Sequence, residues 1–109
     1  MDERSIQQRI QSAHLPGTID SAAFQRITDY FSLRAEWGAT HNLAGPKSLA
    51  DPWGPDLIDA YALHVTLRND MPLIDVGSGG GVPGLIISCL RPQQPVVLIE
   101  PIAKRTAFL

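Results

Sequence analysis

With a single cysteine among 109 residues no internal disulfide can form. This excludes the disulfide-stapled scaffolds of secreted proteins and fits a reducing, cytoplasmic setting. Cys89 lies in the apolar run Leu85-Ile86-Ile87-Ser88-Cys89-Leu90 and reads as a small core residue, not a catalytic thiolate. His14, His41 and His64 are scattered, and neither a Cys-x-x-Cys nor a His-x-x-x-His spacing occurs, so no metal site is expected. No apolar stretch approaches the roughly 18 residues of a membrane span, and the polar start Met1-Asp2-Glu3-Arg4-Ser5 does not read as a signal peptide. Charge of either sign is not in excess. Nine Lys and Arg against eleven Asp and Glu leave a net charge of −2, with a pI of about 5.8, so there is no bulk attraction to nucleic acid. Repeats, low-complexity tracts and long linkers are missing as well. At 44% hydrophobic and 18% charged residues, the composition is that of one globular domain or part of one.

The informative stretch is Leu73-Ile74-Asp75-Val76-Gly77-Ser78-Gly79-Gly80-Gly81-Val82-Pro83-Gly84. Leu73, Ile74 and Val76 suit a buried strand, and the glycines permit backbone conformations and close ligand approaches that a side chain would block. Pro83 suits the first turn of a following helix. The N–H groups and partial positive charge at that helix's start then favour a carboxylate or phosphate. An ordinary glycine-rich turn is the plain alternative, and two cofactor classes use such a turn. Gly79, Gly81 and Gly84 satisfy the dinucleotide pattern G-x-G-x-x-G. The alternative register, Asp75-x-Gly77-x-Gly79-x-Gly81, resembles motif I of the S-adenosylmethionine-dependent methyltransferases. A fixed negative charge at Asp75 suits a sulfonium and an ammonium and repels a pyrophosphate, which favours the methyl donor.

Pro95-Val96-Val97-Leu98-Ile99-Glu100 is a second apolar run ending in a carboxylate, about 20 residues beyond the glycine turn, where nucleotide-binding folds carry the acid that accepts from ribose hydroxyls. Glu100 fits that role for either cofactor. Its plain alternative is an exposed strand-end acid or a cap for the helix beginning near Lys104.

Gly81-Val82-Pro83-Gly84-Leu85, taken with Ile99-Glu100-Pro101-Ile102-Ala103-Lys104-Arg105-Thr106-Ala107-Phe108-Leu109, resembles the paired motifs of the bacterial small-subunit (16S) ribosomal RNA guanine-N7 methyltransferases, the RsmG or glucose-inhibited division protein B family. Upstream, Trp37-Gly38-Ala39-Thr40-His41-Asn42-Leu43 is similar to that family's Trp-Asn-x-x-x-Asn-Leu segment, and Leu57-Ile58-Asp59-Ala60 to its Ile-Leu-Asp-Ser segment. Order and spacing of all four blocks agree. There are departures: Pro55-Asp56 stands where the family usually has Arg-His, and Ala44 where it has threonine. The resemblance implies S-adenosylmethionine as cofactor, 16S ribosomal RNA or the small subunit as partner, and a role in rRNA processing. It also implies a cofactor site in which Asp75 faces the methionyl end and Gly77, Ser78, Gly79 and Gly81 cradle the ligand through backbone groups. Val82 walls the nucleoside and Glu100 clamps the ribose. No catalytic side chain and no metal are implied. Asn42 is expected to fix the loop after the helical region.

Before the turn the chain reads as helical. Ile6, Ile10 and Ala13 repeat at helical spacing up to the breakers Leu15-Pro16-Gly17. Phe24, Ile27, Tyr30 and Phe31 form an apolar stripe through to about Trp37, behind candidate caps Thr18, Asp20 and Ser21. A third helix is expected from about Pro55 to Leu67. Trp53 is expected to pack against the helices, with stacking on an RNA base as the alternative. Arg26, Arg34, Lys104 and Arg105 read as solvated helix faces or as local basic patches for RNA.

The expected fold is α/β: a Rossmann-like S-adenosylmethionine-dependent methyltransferase fold, cut to an N-terminal helical region (1–70) and the first two parallel strands of the cofactor-binding domain (71–109). Two parallel strands cannot cover both their faces, and Lys104–Leu109 reads as a helix without a stop signal, so the chain is expected to be the N-terminal part of a longer protein and inactive alone. Two further readings remain: a nicotinamide- or flavin-dependent oxidoreductase, from the alternative glycine register, and a non-catalytic interaction fragment.

Overall fold

The computed structural model describes residues 1–109 apart from the side chain of Ala39. Helix α1 (Glu3–Ser12) starts at Asp2, whose carboxylate accepts from the Ser5 N–H at 2.8 Å, and turns Ile6 and Ile10 into the core. It ends before the expected breakers. Left-handed His14 reverses the chain, and the Leu15 N–H closes back on the Ile10 carbonyl at 3.2 Å. Helix α2 (Ser21–His41) is capped by Asp20, which accepts from the Ala23 N–H at 2.8 Å. Ile27, Tyr30, Phe31 and Arg34 lie on its inward side, while Trp37, expected to close the stripe, is 45% exposed. Asn42 ends α2 in the left-handed conformation, with φ +51°, and turns the chain as expected.

A short helix the sequence did not reveal, α3 (Pro46–Ala50), follows with its proline in the first turn. Helix α4 (Pro55–His64) stops three residues before Leu67. The guanidinium of Arg91 ends it, donating from Nη2 to the carbonyls of His64 and Leu67 at 2.6 and 3.1 Å.

Strand β1 (Leu73–Val76), helix α5 (Gly84–Leu90) and strand β2 (Val96–Ile99) form a β-α-β unit, and α6 (Ala103–Phe108) follows. The strands pair in parallel, Leu73 against Val96 and Val76 against Ile99. Leu73, Asp75, Val96 and Leu98 are the half-buried side of this sheet, against which α5 packs. On the other side Ile74 and Val76 are 58% and 76% exposed, with Val97 and Ile99 beside them. The shared core runs from Ile6 and Ile10 through Ile27, Tyr30, Phe31, Trp53, Leu57 and Tyr61 to Ile86 of α5. Trp53 is stacked on Phe24 with ring centres 5.1 Å apart and meets Phe31 edge-on at 4.9 Å, so it packs in the core and is not free for a base. No helix among the described residues is long and apolar enough to cross a membrane.

Candidate functional site

Both strands end at the same edge of the sheet, and the glycine turn is tied down there. The N–H groups of Gly77 and Ser78 donate to the Ile99 carbonyl at 2.8 and 3.0 Å. The buried Ser78 donates from Oγ to the Asp75 carbonyl at 3.0 Å, so its side chain holds the turn's own shape. Glu100 reaches back from the end of β2. Its Oε1 accepts from the Gly79 N–H at 2.7 Å and its Oε2 from the Ile102 N–H at 2.9 Å. These bonds, the one from Ile102 first, hold its carboxyl below the usual range.

Gly77 and Gly79 have φ of +77° and +56°, a region that strains any side chain, and nothing lies within 4 Å of where their Cβ atoms would stand. The turn is open on that side. Its other side is packed: a Cβ on Gly80 would run into the Leu43 backbone carbonyl, and Gly81 lies against Leu85 and the Tyr30 hydroxyl. Tyr30 donates to the Gly80 carbonyl at 2.6 Å. Burial pushes its phenol up to about 12, so it remains a donor across the neutral range.

Asp75 has a partner the sequence did not suggest. Its Oδ2 accepts from the Gly84 N–H at 3.1 Å. The Leu85 and Ile87 N–H groups are taken by the carbonyls of Gly81 and Pro83 at 2.7 and 3.0 Å. The start of α5, expected to offer free N–H groups to an anion, is therefore largely satisfied within the chain. Pro83, expected inside the first turn, is the residue just before it. The cause is the closeness of helix and sheet: a Cβ on Gly84 would be 2.5 Å from Asp75 Oδ2 and 2.6 Å from Leu98 Cδ2.

Gly77, Ser78, Gly79 and Val82 line one cavity of about 230 Å³, whose opposite wall is Arg34, Ser48 and Asp56. Asp75, Gly81 and Glu100, expected in the same site, are not among the residues that line it. Arg34 corrects the reading of a solvated face: the residue is 1% exposed. Its guanidinium lies over the rings of Tyr30 and Phe31, 5.6 and 5.1 Å from their centres, and Nη1 pairs with Asp56 Oδ2 at 2.7 Å. Ser48 braces the pair, accepting from Arg34 Nη2 on its carbonyl and donating from Oγ to Asp56 Oδ1, both at 3.3 Å. The ion contact is off the hydrogen-bond direction, and Arg34 Nε and Asp56 Oδ2 have no hydrogen-bond partner among the described residues. Arg26 and Arg105 are also tied into the chain, through the carbonyls of Cys89 at 2.9 Å and Asn42 at 3.1 Å. The one signal for Arg34 was its spacing, three and four residues after Phe31 and Tyr30, on the apolar side of α2.

The family model for GidB, described as rRNA small subunit methyltransferase G, matches residues 23–109, from α2 through the turn to α6. The chain belongs to this family. Proteins named ribosomal RNA small subunit methyltransferase G are similar to it in Wolinella succinogenes, at 36% identity over 96% of the chain and 53% of the relative, and in Salinispora tropica, at 34% over 90% and 43%. In Bradyrhizobium sp. the corresponding figures are 40% identity over 78% of the chain and 40% of the relative. The chain thus spans about half or less of the length of these methyltransferase G relatives. The part matched to the family model holds all seven candidate cofactor residues, together with the Tyr30, Arg34 and Asp56 side chains that line or back the turn.

Proposed function

We propose that the full-length protein is a cytoplasmic S-adenosylmethionine-dependent methyltransferase that methylates guanine N7 in 16S ribosomal RNA, as free RNA or within the small subunit. The observation that carries this reading is the glycine turn itself: it lies within the family match, it is open at Gly77 and Gly79, and Asp75 caps the helix behind it. A pyrophosphate needs free N–H groups at that helix start and would meet the charge of Asp75. A cationic sulfonium needs no such donors. The close packing of Gly84 on the strands is common to both glycine registers, so the charge of Asp75 and the satisfied helix start are what favour the methyl donor over a nicotinamide or flavin.

In this reading, residues 1–70 form a helical region that backs the turn, and 71–109 open a Rossmann-like methyltransferase domain whose ligand lies beyond the carboxyl ends of the parallel strands. Gly77, Ser78, Gly79 and Gly81 hold the cofactor through their backbone, Val82 walls its nucleoside, and Glu100 receives its ribose while keeping Gly79 in place. Asp75 adds negative charge from behind the turn. When bound, S-adenosylmethionine supplies the methyl group. Guanine N7 already carries a free lone pair, so these residues have no proton to remove; they orient the reactants and exclude water.

The test is calorimetric titration of S-adenosylmethionine, S-adenosylhomocysteine and NAD into the full-length protein, followed by labelled methyl transfer to small subunits and to naked 16S RNA. Binding of the first two ligands and label on guanine N7 are the expected results. Preferential NAD binding, or label on another position, overturns the assignment.

A further inference from the structure

We propose that the Arg34–Asp56 pair is the receptor for the α-amino-acid end of the methyl donor, with the ligand's carboxylate against Arg34 and its ammonium against Asp56. The inference rests on the methyltransferase reading above and adds to it two residues from the helical region. Three observations lead there. The cavity beside the glycine turn, at about 230 Å³, is smaller than the roughly 300–1,000 Å³ of sites that enclose a whole small molecule, so it suits one end of a ligand held along the turn. Its polar wall carries both signs of charge, with the Arg34 side chain 2% and the Asp56 side chain 14% exposed. Finally, Arg34 Nε has no hydrogen-bond partner among the described residues, and the 2.7 Å contact of Nη1 with Asp56 Oδ2 is the pair's one direct link.

A simple anion or a simple cation would satisfy one member of this pair and repel the other. An amino-acid zwitterion satisfies both, each through a charge-assisted hydrogen bond. Asp75, the acid that motif spacing placed near the methionyl ammonium, is engaged with the Gly84 N–H and is not part of the cavity wall. Asp56 faces the turn from the opposite wall, held in place by Arg34 and Ser48.

The experiment compares S-adenosylhomocysteine with 5′-methylthioadenosine, which lacks the amino-acid end, by calorimetric titration into the full-length protein. The proteins are wild type, Arg34→Met, Asp56→Asn and the double variant. The double variant leaves no lone buried charge, so it reports even where a single variant fails to fold. The expected result is an S-adenosylhomocysteine affinity about ten- to a hundredfold weaker in the variants, with 5′-methylthioadenosine held within about twofold. Equal losses for both ligands would make the pair merely structural and overturn the inference, as would an unchanged S-adenosylhomocysteine affinity in the folded double variant. A wild-type protein that binds both ligands equally well overturns this inference alone. One that binds neither overturns the methyltransferase reading with it.

Discussion

At the scale of single residues, the site is made by atoms in unexpected partnerships. Gly84 is the sharpest case. Alanine there gains roughly 1 kcal/mol of helix propensity over glycine. Its Cβ, however, would lie 2.5 Å from Asp75 Oδ2 and 2.6 Å from Leu98, both attached to the sheet, and relieving such overpacking costs about 1–3 kcal/mol while loosening the carboxylate cap. The balance predicts that Gly84→Ala destabilises the fold by about 1–2 kcal/mol in urea titration; an equal or higher midpoint would contradict the close approach of α5 to the strands. The glycines were legible as a turn because each removes a side chain where the chain reverses. What Asp75 and Arg34 do was not legible. A carboxylate reads alike whether it faces a ligand or a helix end, and an arginine reads as solvated until the acid that neutralises it, 22 residues on in sequence, is found packed against it.

At the scale of elements, the strands appeared at the positions that their apolar runs marked, because Leu73–Val76 and Val96–Ile99 are bounded by glycine, proline and charge. The five residues of α3 are too few to display a period, and α4 ended early because its last turn is closed by Arg91, the residue that follows α5. That closure is pH-sensitive. Arg91 Nε donates to His64 Nδ1 at 2.8 Å, which requires a neutral imidazole, and burial first, with the Arg91 charge second, lowers the His64 pKa. In the unfolded chain His64 binds its proton near pH 6.5, so the stability held above that pH is lost as the pH falls through the folded-state value. Thermal melts at pH values stepped down from about 7.5 through the free imidazole pKa of about 6.5 and below it should show a steeper fall for wild type than for His64→Asn. Parallel curves would assign the pH dependence to other groups.

At the scale of the whole molecule, one core joins the N-terminal helices to the β-α-β unit, while one face of the sheet is bare. Ile74, Val76, Val97 and Ile99 form a contiguous apolar surface at the strand pair, an arrangement that favours association. The 109-residue chain is therefore expected to self-associate with rising concentration in sedimentation experiments. Val76→Thr and Ile99→Thr should suppress this while changing stability by no more than about 0.5 kcal/mol each. Self-association unaffected by these changes would place the sticky surface elsewhere. The two-region layout was visible in the sequence through the switch from helical to strand periodicity; the single core was not, since the gathering of Ile27 and Ile86 into one cluster leaves no local trace. The bond from Tyr30 to the Gly80 carbonyl has a further meaning in time. A ribosome releases α2 well before it releases the turn, and until Gly80 and Ile86 emerge, the inward side of α2 can close only on α1, Trp53 and α4. The core that holds the turn in place is thus completed only once the turn itself has been made.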